Sequence, residues 1–325
     1  MYEDETPKKK RFKLFDSQRE GKGVTKEQAN LPPNLKKFFI LYKRDFTRLL
    51  SVNVLMVFGN FPVFFLFLAI SGMFSVDYAI PAGNLFPLFS GITADTGLSA
   101  PLLALDGILG IQNAGSTYQP LAYLFFGLSA LTLFTWGPVN VGTAYLLRNM
   151  IKGDPVFVWS DFWYAVRRNL KQAFFFGMLD LIIVVLLPWN LIQLSANGSF
   201  WMGVVFWFNV LIAILYFTMR RYIYLQMVTF DLSVYKILKN ALIFSIIGFK
   251  RNILAFLGIV ALCFLTLFFA YSGILLALAI AIPLMILFAN ASYMTTYAAY
   301  YVIKQYMIDP YQKTHPENEE LPTDA

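Results

Sequence analysis

The chain has 325 residues, of which 58% are hydrophobic and only 14% are charged, and its formal net charge is +7. This composition is too apolar for a soluble domain of that length, so it predicts a membrane protein. A single cysteine, Cys263, excludes an intramolecular disulfide and a cysteine-ligated metal cluster. Because the sole histidine, His315, lies in a polar tail, we expect no metal and no organic cofactor.

Polar segments flank the apolar part of the chain. Residues 1–33 lack a helical apolar period, which predicts a disordered, basic cytoplasmic tail. The membrane domain is predicted over residues 34–307, and an acidic cytoplasmic tail over residues 308–325. The first apolar run follows a long charged stretch, so it does not have the layout of a signal peptide and we expect it to be retained.

Uncharged apolar runs long enough to cross a bilayer, which needs about 20 residues per helix, occur repeatedly along the chain. There are six, covering about Ser51–Phe74, Gln119–Leu147, Gln172–Leu194, Ser199–Met219, Ile253–Tyr271 and Gly273–Val302. All 26 lysines and arginines fall before the first run, after the last, or in alternate connections. Since basic residues are retained in cytoplasmic loops, we predict a multi-pass protein of the cell membrane with both termini cytoplasmic. The positive charge then indicates contact with the anionic inner leaflet and not with nucleic acid.

Amphipathic segments rich in lysine and arginine precede the first, third and fifth runs. In the first, apolar residues recur at helical spacing from Leu35 to Leu50, including Phe39 and Phe46, with basic residues between them. Similar patterns cover residues 159–171 and 234–251. They predict an all-α polytopic fold of three hairpins, each preceded by an interfacial elbow helix. Amphipathic helices that arose independently would give the same pattern without a true repeat.

One long outer connection, at about 75–118, contains three aspartates, Asp77, Asp95 and Asp106, and no basic residue. Its apolar patch, Gly97–Ile111, is too short and too interrupted by proline and glycine to cross a bilayer. We predict that the patch forms a short helix capping the bundle. A docking surface for an external partner is the alternative.

Three stretches resemble a known family. The first is "GPVNVGTAYLLRNMIKGDPVFVWSDFWYAVRRNLKQAF", and it is accompanied by "RDFTRLLSVNVLMVFGNFP" upstream and "YLQMVTFDLSVYKILKNALIFSIIGFKRN" downstream. They resemble the YesL-like family of bacterial membrane proteins, a domain of unknown function, over most of residues 20–305 except the outer connection. Family members typically occur beside carbohydrate ABC importers and polysaccharide-degrading enzymes, so the resemblance implies an accessory role in sugar uptake. It implies no catalytic or binding residue.

Asp180 interrupts the third apolar run, roughly 13 Å from its basic end by helical rise. An aspartate at that depth costs about 2.5–3.5 kcal/mol on insertion scales, which makes it a candidate functional residue. No cation lies within any predicted run, so we expect a neutral carboxyl group. Its predicted hydrogen-bond partners across the helices are Asn60, Asn140, Asn209 and Asn290. Contact with a substrate or a transferred proton, or with a partner protein, is the alternative.

Two further sets of residues are candidates. Pro62, Pro138 and Pro283 are predicted to break helices, and unwound backbone inside a bundle can line a cavity, although kinks are also common in membrane helices. The predicted contact surface for a partner protein consists of Asp161, Phe162, Trp163, Arg167 and Arg168.

These features favour a non-catalytic membrane protein that binds or supports an ABC-type carbohydrate importer. The alternative is an autonomous small-solute transporter or channel with a substrate or proton contact at Asp180. An enzyme is not expected. The outer connections hold only three scattered aspartates, and the cytoplasmic segments show no acid and base at a useful spacing.

Overall fold

A computed structural model describes residues 31–81, 101, 112–196, 199–273 and 275–314, most of which are helical. The helices are α1 (Leu35–Gly59), α2 (Pro62–Ile70), α3 (Pro120–Ser129), α4 (Thr132–Lys152), α5 (Val158–Ser195), α6 (Phe200–Thr229), α7 (Val234–Ile247), α8 (Phe249–Tyr271), α9 (Leu276–Ile282), α10 (Phe288–Ile303) and α11 (Asp309–Thr314). Two π-helical segments, Pro283–Leu287 and Lys304–Ile308, connect α9 to α10 and α10 to α11.

Within this described part, five helical stretches are long and apolar enough to cross a membrane. They are Pro120–Lys152, Val158–Ser195, Phe200–Thr229, Phe249–Tyr271 and Leu276–Thr314, and α1 with α2 makes a sixth if the pair forms one interrupted span. Their positions match the six predicted runs. The prediction of a helical, multi-pass membrane protein is therefore confirmed at this level.

The chain divides into two compact units, and the smaller one covers residues 61–132. In it α2 packs against α3. Two strands, β1 (Ser75–Pro81) and β2 (Gln112–Tyr118), form an antiparallel ribbon in which Ser75 pairs with Tyr118. This ribbon was not predicted from the sequence. Apart from Pro101, the apolar patch at 97–111 lies outside the described residues, so its capping helix stays a prediction.

The larger unit comprises residues 1–60 and 133–325. Its core draws on α1, α4, the end of α6 and α10, and every residue of α6 from 221 to 228 is buried. The largest fully buried side chains include Tyr222, Tyr224 and Tyr293. Tyrosine rings thus fill this end of the unit, and the Tyr222 hydroxyl donates to Oδ1 of Asn252 at 3.0 Å.

Other helices of the larger unit expose their apolar side chains. Ala255 is the one buried residue of α8, and Phe264 on that helix is 70% exposed. On α6, Leu211 is 65% exposed. Soluble proteins rarely expose contiguous apolar surface of this kind, whereas a lipid-facing helix does.

The amphipathic segments differ from the predicted elbows. The first two are continuous with the apolar helices that follow, because α1 and α5 run without interruption. The third forms α7, which ends at Gly248 before α8 begins. The apolar stripe on α1 is buried in part: Phe38 and Leu49 are buried, whereas Phe39 and Phe46 are exposed. Asp45, between them, is also buried. Asp45 can be buried because it pairs with neighbouring arginines.

The three prolines behave differently. Pro62 occupies the first turn of α2, directly after an interruption at residues 60–61. Pro283 begins the π-helical segment after α9. The prediction of a break at Pro138 was wrong, since α4 continues through it and the interruption lies earlier, at residues 130–131.

Candidate functional site

Asp180 on α5 is fully buried at the centre of a polar cluster. Arg220 donates from Nε to Oδ1 at 2.8 Å and from Nη2 to Oδ2 at 2.7 Å. The hydroxyl groups of Tyr216 and Tyr224 donate to Oδ1 at 2.8 Å and to Oδ2 at 2.7 Å, respectively. Trp136 on α4 donates from Nε1 to Oδ2 at 2.8 Å. Donors from α4 and α6 thus converge on one carboxylate of α5.

The positions of these residues follow from helix geometry. A short connection, residues 196–199, joins α5 to α6, and the two helices pack against each other, so they run antiparallel. Asp180 and Tyr216 lie at similar distances along the chain from this connection. Tyr216, Arg220 and Tyr224 recur every four residues on one face of α6. Arg220 lies one turn beyond Tyr216, and its long side chain reaches back to the carboxylate.

Close contact between α4 and α5 brings Trp136 to the cluster. A Cβ atom on Gly137 would clash with the carbonyl oxygen of Ala173, and one on Gly177 would clash with the backbone of Gly137. Glycines at the crossing point therefore let the two backbones approach closely, as small residues commonly do in membrane helices. Trp136, next to Gly137, is thereby placed within reach of Asp180.

The prediction that Asp180 lacks a cationic partner and is neutral was wrong. Arg220 lies just beyond the predicted end of the fourth run at Met219, but α6 continues to Thr229. Arginine and tryptophan side chains can only donate, and the paired donation from Arg220 suits an ionised carboxylate. The cluster therefore contains a charged pair.

The four asparagines predicted to bond with this carboxyl group lie elsewhere. Asn60 and Asn140 each donate to a carbonyl one turn earlier in their own helix. Asn290 accepts a hydrogen bond from the Tyr42 hydroxyl at 3.2 Å, which links α10 to α1. The side-chain oxygen of Asn209 is buried without a hydrogen-bond partner in the described part of the chain. The predicted clamp between asparagine and aspartate is therefore not formed.

Asn53, which the sequence analysis did not single out, joins α1 to the π-helical segment at 283–287. Its Nδ2 donates to the carbonyl oxygens of Pro283 and Leu284 at 3.0 Å and 2.8 Å. Its Oδ1 accepts from the backbone N–H of Ala289 at 2.9 Å. The irregular backbone after Pro283 would otherwise leave polar groups unpaired, so Asn53 stabilises this interruption.

A second buried carboxylate lies on α1. Asp45 is fully buried and pairs with Arg44 and with Arg48, whose Nη1 lies 3.1 Å from Oδ1. Arg44 also donates to the carbonyl oxygen of Met150 on α4. Arg44 and Arg48 are among the basic residues of the first amphipathic segment, and their pairing with Asp45 was not predicted from the sequence.

The predicted partner-contact residues divide into two groups. Phe162 is buried, and its ring fills the space beside Gly142, so it is not available to a partner. Asp161 accepts a hydrogen bond from the backbone N–H of Phe157 at 2.8 Å and stabilises the start of α5. The remaining three are exposed and line a concave surface of about 740 Å³, which is formed by Trp159, Ser160, Trp163, Tyr164, Arg167 and Arg168.

The Asp180 carboxylate has its hydrogen bonds satisfied within the protein, because both of its oxygens accept from neighbouring side chains. Next to it on α6, Arg221 donates to the hydroxyl of Ser292 at 2.9 Å and extends the polar contacts to α10. Across the described ranges, no group of three or more histidine, cysteine, aspartate or glutamate side chains could hold a metal ion. The arrangement is suited to fixing helices relative to one another.

Comparison with known proteins gives one family match. No curated protein and no solved structure matches the chain. Residues 117–191 match a family described as "Protein of unknown function, DUF624", and they cover α3, α4 and nearly all of α5. The matched segment includes Trp136 and Asp180 but ends before the α6 residues of the cluster. This part of the chain is therefore similar to a family whose function is not known.

Proposed function

We propose that this chain is a non-catalytic accessory protein of the cell membrane, of the YesL type, that supports an ABC-type carbohydrate importer. The sequence resemblance to the YesL-like family supports this proposal, and the DUF624 match is consistent with it. In the proposed topology three hairpins with basic elbow segments cross the membrane, and both termini face the cytoplasm, since lysine and arginine gather on that side.

The exposed surface at the start of α5 is the observation that carries the proposal. Trp159 and Trp163 are 52% and 51% exposed, and Arg167 lies beside them. Tryptophan and arginine are the residue types that most often dominate the energetics of protein interfaces. Because the proposed topology places this surface on the cytoplasmic side, it is available to the subunits of an importer.

A small-solute transporter or channel is the second candidate function. The buried charge pair of Asp180 and Arg220, within helices that otherwise expose apolar side chains, favours it, since such residues commonly mark solute or proton pathways. The π-helical interruption at 283–287 is a second feature typical of functional sites. Both features are also explained by helix fixation, because their polar groups are bonded within the bundle.

Affinity purification from native membranes tests the leading proposal. The tagged chain should retain permease or ATPase subunits of an ABC importer, and Trp163→Ala should reduce the retained amount by about 30-fold if Trp163 is an interface anchor worth about 2 kcal/mol. Trp189→Ala is the matched control, because Trp189 is an equally exposed tryptophan near the other end of α5. A preparation free of importer subunits that moves sugar or ions in proteoliposomes would instead support the transporter.

A further inference from the structure

A second cleft lies between the basic part of α5 and the end of α6, and it shares only Arg168 with the surface at the start of α5. It has a volume of about 290 Å³, and its polar lining consists of Arg168, Asn169, Lys171, Gln172 and Asp231. We propose that this cleft binds one anionic membrane phospholipid with a hydroxylated headgroup, of the phosphatidylglycerol class. The proposal does not depend on an importer.

The charges of the cleft suit a single phosphodiester. Arg168 and Lys171 contribute two positive charges and Asp231 one negative charge, which leaves one positive charge for the phosphate. Arg168 donates one N–H to the Tyr164 hydroxyl at 3.3 Å, and its planar guanidinium has further donors for phosphate oxygens. A zwitterionic lipid would leave that charge unbalanced, so the cleft favours an anionic lipid.

The other polar groups of the cleft can offer acceptor oxygens to a ligand. Asn169 donates from Nδ2 to the carbonyl oxygen of Ala165 at 3.0 Å, and Gln172 donates from Nε2 to that of Leu232 at 3.2 Å. Their side-chain oxygens and the carboxylate of Asp231 can therefore accept hydrogen bonds from a ligand. A glycerol headgroup supplies hydroxyl donors without adding charge. The carboxylate of Asp231 can accept a hydrogen bond from these hydroxyl groups although it lies near the phosphate.

An apolar stripe on α5 continues directly from the cleft. Phe175, Leu179, Ile182 and Leu186 follow Arg168 on the same face at helical spacing, and each is between 49% and 62% exposed. A phosphate held at Arg168 would therefore place an acyl chain along this stripe. A free phosphate compound gains nothing from such a surface, so the geometry indicates a membrane lipid as the source of the phosphate.

Native mass spectrometry of the full chain released from nanodiscs tests the site. The nanodiscs contain phosphatidylglycerol, phosphatidylethanolamine or phosphatidic acid, and soluble glycerol 3-phosphate serves as the free phosphate compound. Each basic residue near an anionic lipid strengthens binding about fivefold. The double variant Arg168→Gln with Lys171→Gln should therefore lower the retained amount of phosphatidylglycerol roughly 30-fold. The control Lys236→Gln with Lys239→Gln removes the same charge from exposed positions on α7 and should change retention less than about twofold.

Asp231→Asn supplies an independent readout. Asp231 repels additional negative charge, so its replacement should increase binding of phosphatidic acid more than that of phosphatidylglycerol. An equal loss in the α7 control, equal retention of phosphatidylethanolamine, or effective competition by glycerol 3-phosphate would each overturn the proposal. Unchanged gel-filtration profiles verify that all variants are folded.

Discussion

Asp180→Asn tests the buried charge pair most directly. The substitution removes the carboxylate and leaves the Arg220 guanidinium, which is only 14% exposed, without its counter-charge. Breaking a buried pair in this way costs about 3–5 kcal/mol in the free energy of unfolding. In addition, both oxygens of the native carboxylate accept hydrogen bonds, whereas the new amide nitrogen can only donate. It would therefore face donors that have lost their acceptor. At roughly 2 °C per kcal/mol for a chain of this size, we expect a decrease of about 6–10 °C in the melting temperature.

A double-mutant cycle separates the charge pair from other effects at the site. Asp180→Asn combined with Arg220→Gln removes both charges, so we expect the combined loss to be at least about 2 kcal/mol smaller than the sum of the single losses. Melting of the purified protein in detergent, followed by tryptophan fluorescence, gives the values. Asp161→Asn is the control on the same helix and should cost less than about 1 kcal/mol, since Asp161 is half-buried and accepts one backbone hydrogen bond. Additive losses, or a native melting temperature for Asp180→Asn, would refute the reasoning.

Three further predictions concern the fold. Asn53→Leu removes two hydrogen bonds to the backbone of the π-helical segment and one to the start of α10, and should lower the free energy of unfolding by about 3 kcal/mol in the same melting assay. A loss below about 1 kcal/mol would contradict the bridging role. Gly177→Ala should lower the melting temperature because its Cβ meets the backbone of α4, whereas Gly203→Ala, which has open space, should leave it unchanged or raise it slightly. Reporter proteins fused after residue 110 and after residue 235 should lie outside and inside the cell, respectively, and the opposite result would overturn the proposed topology.

The positions of the membrane helices were predictable because long uncharged apolar runs are a strong signal. The ends of the helices were not, because apolarity fades gradually where a helix leaves the lipid. The predicted fourth run ended at Met219, whereas α6 extends to Thr229 and carries Arg220 in its last part. The β1–β2 ribbon escaped prediction for a different reason: its two strands are far apart in the sequence, and strand pairing depends on that long-range contact.

The partner of Asp180 could have been found from the sequence. When a short connection joins two antiparallel helices, residues equally far from the connection lie opposite each other, and this rule places Asp180 opposite Tyr216. The spacing of Tyr216, Arg220 and Tyr224 then puts an arginine within reach on the same face. The role of Asn53 could not have been found in this way, because it depends on how α1 packs against a helix more than 200 residues later.

The charge pair also separates the two candidate functions. A transport cycle that uses Asp180 must part it from Arg220, which costs about 3–5 kcal/mol unless the solute or a proton replaces the lost partner. Transport through Asp180 would therefore need its carboxylate to take up the solute or proton, and the neutral double variant Asp180→Asn with Arg220→Gln should fold but be inactive in flux measurements. If the pair only fixes helices, the same variant should still retain importer subunits at the native level. If a correctly folded double variant no longer retains importer subunits, the protein cannot be an accessory protein in which Asp180 has a purely structural role.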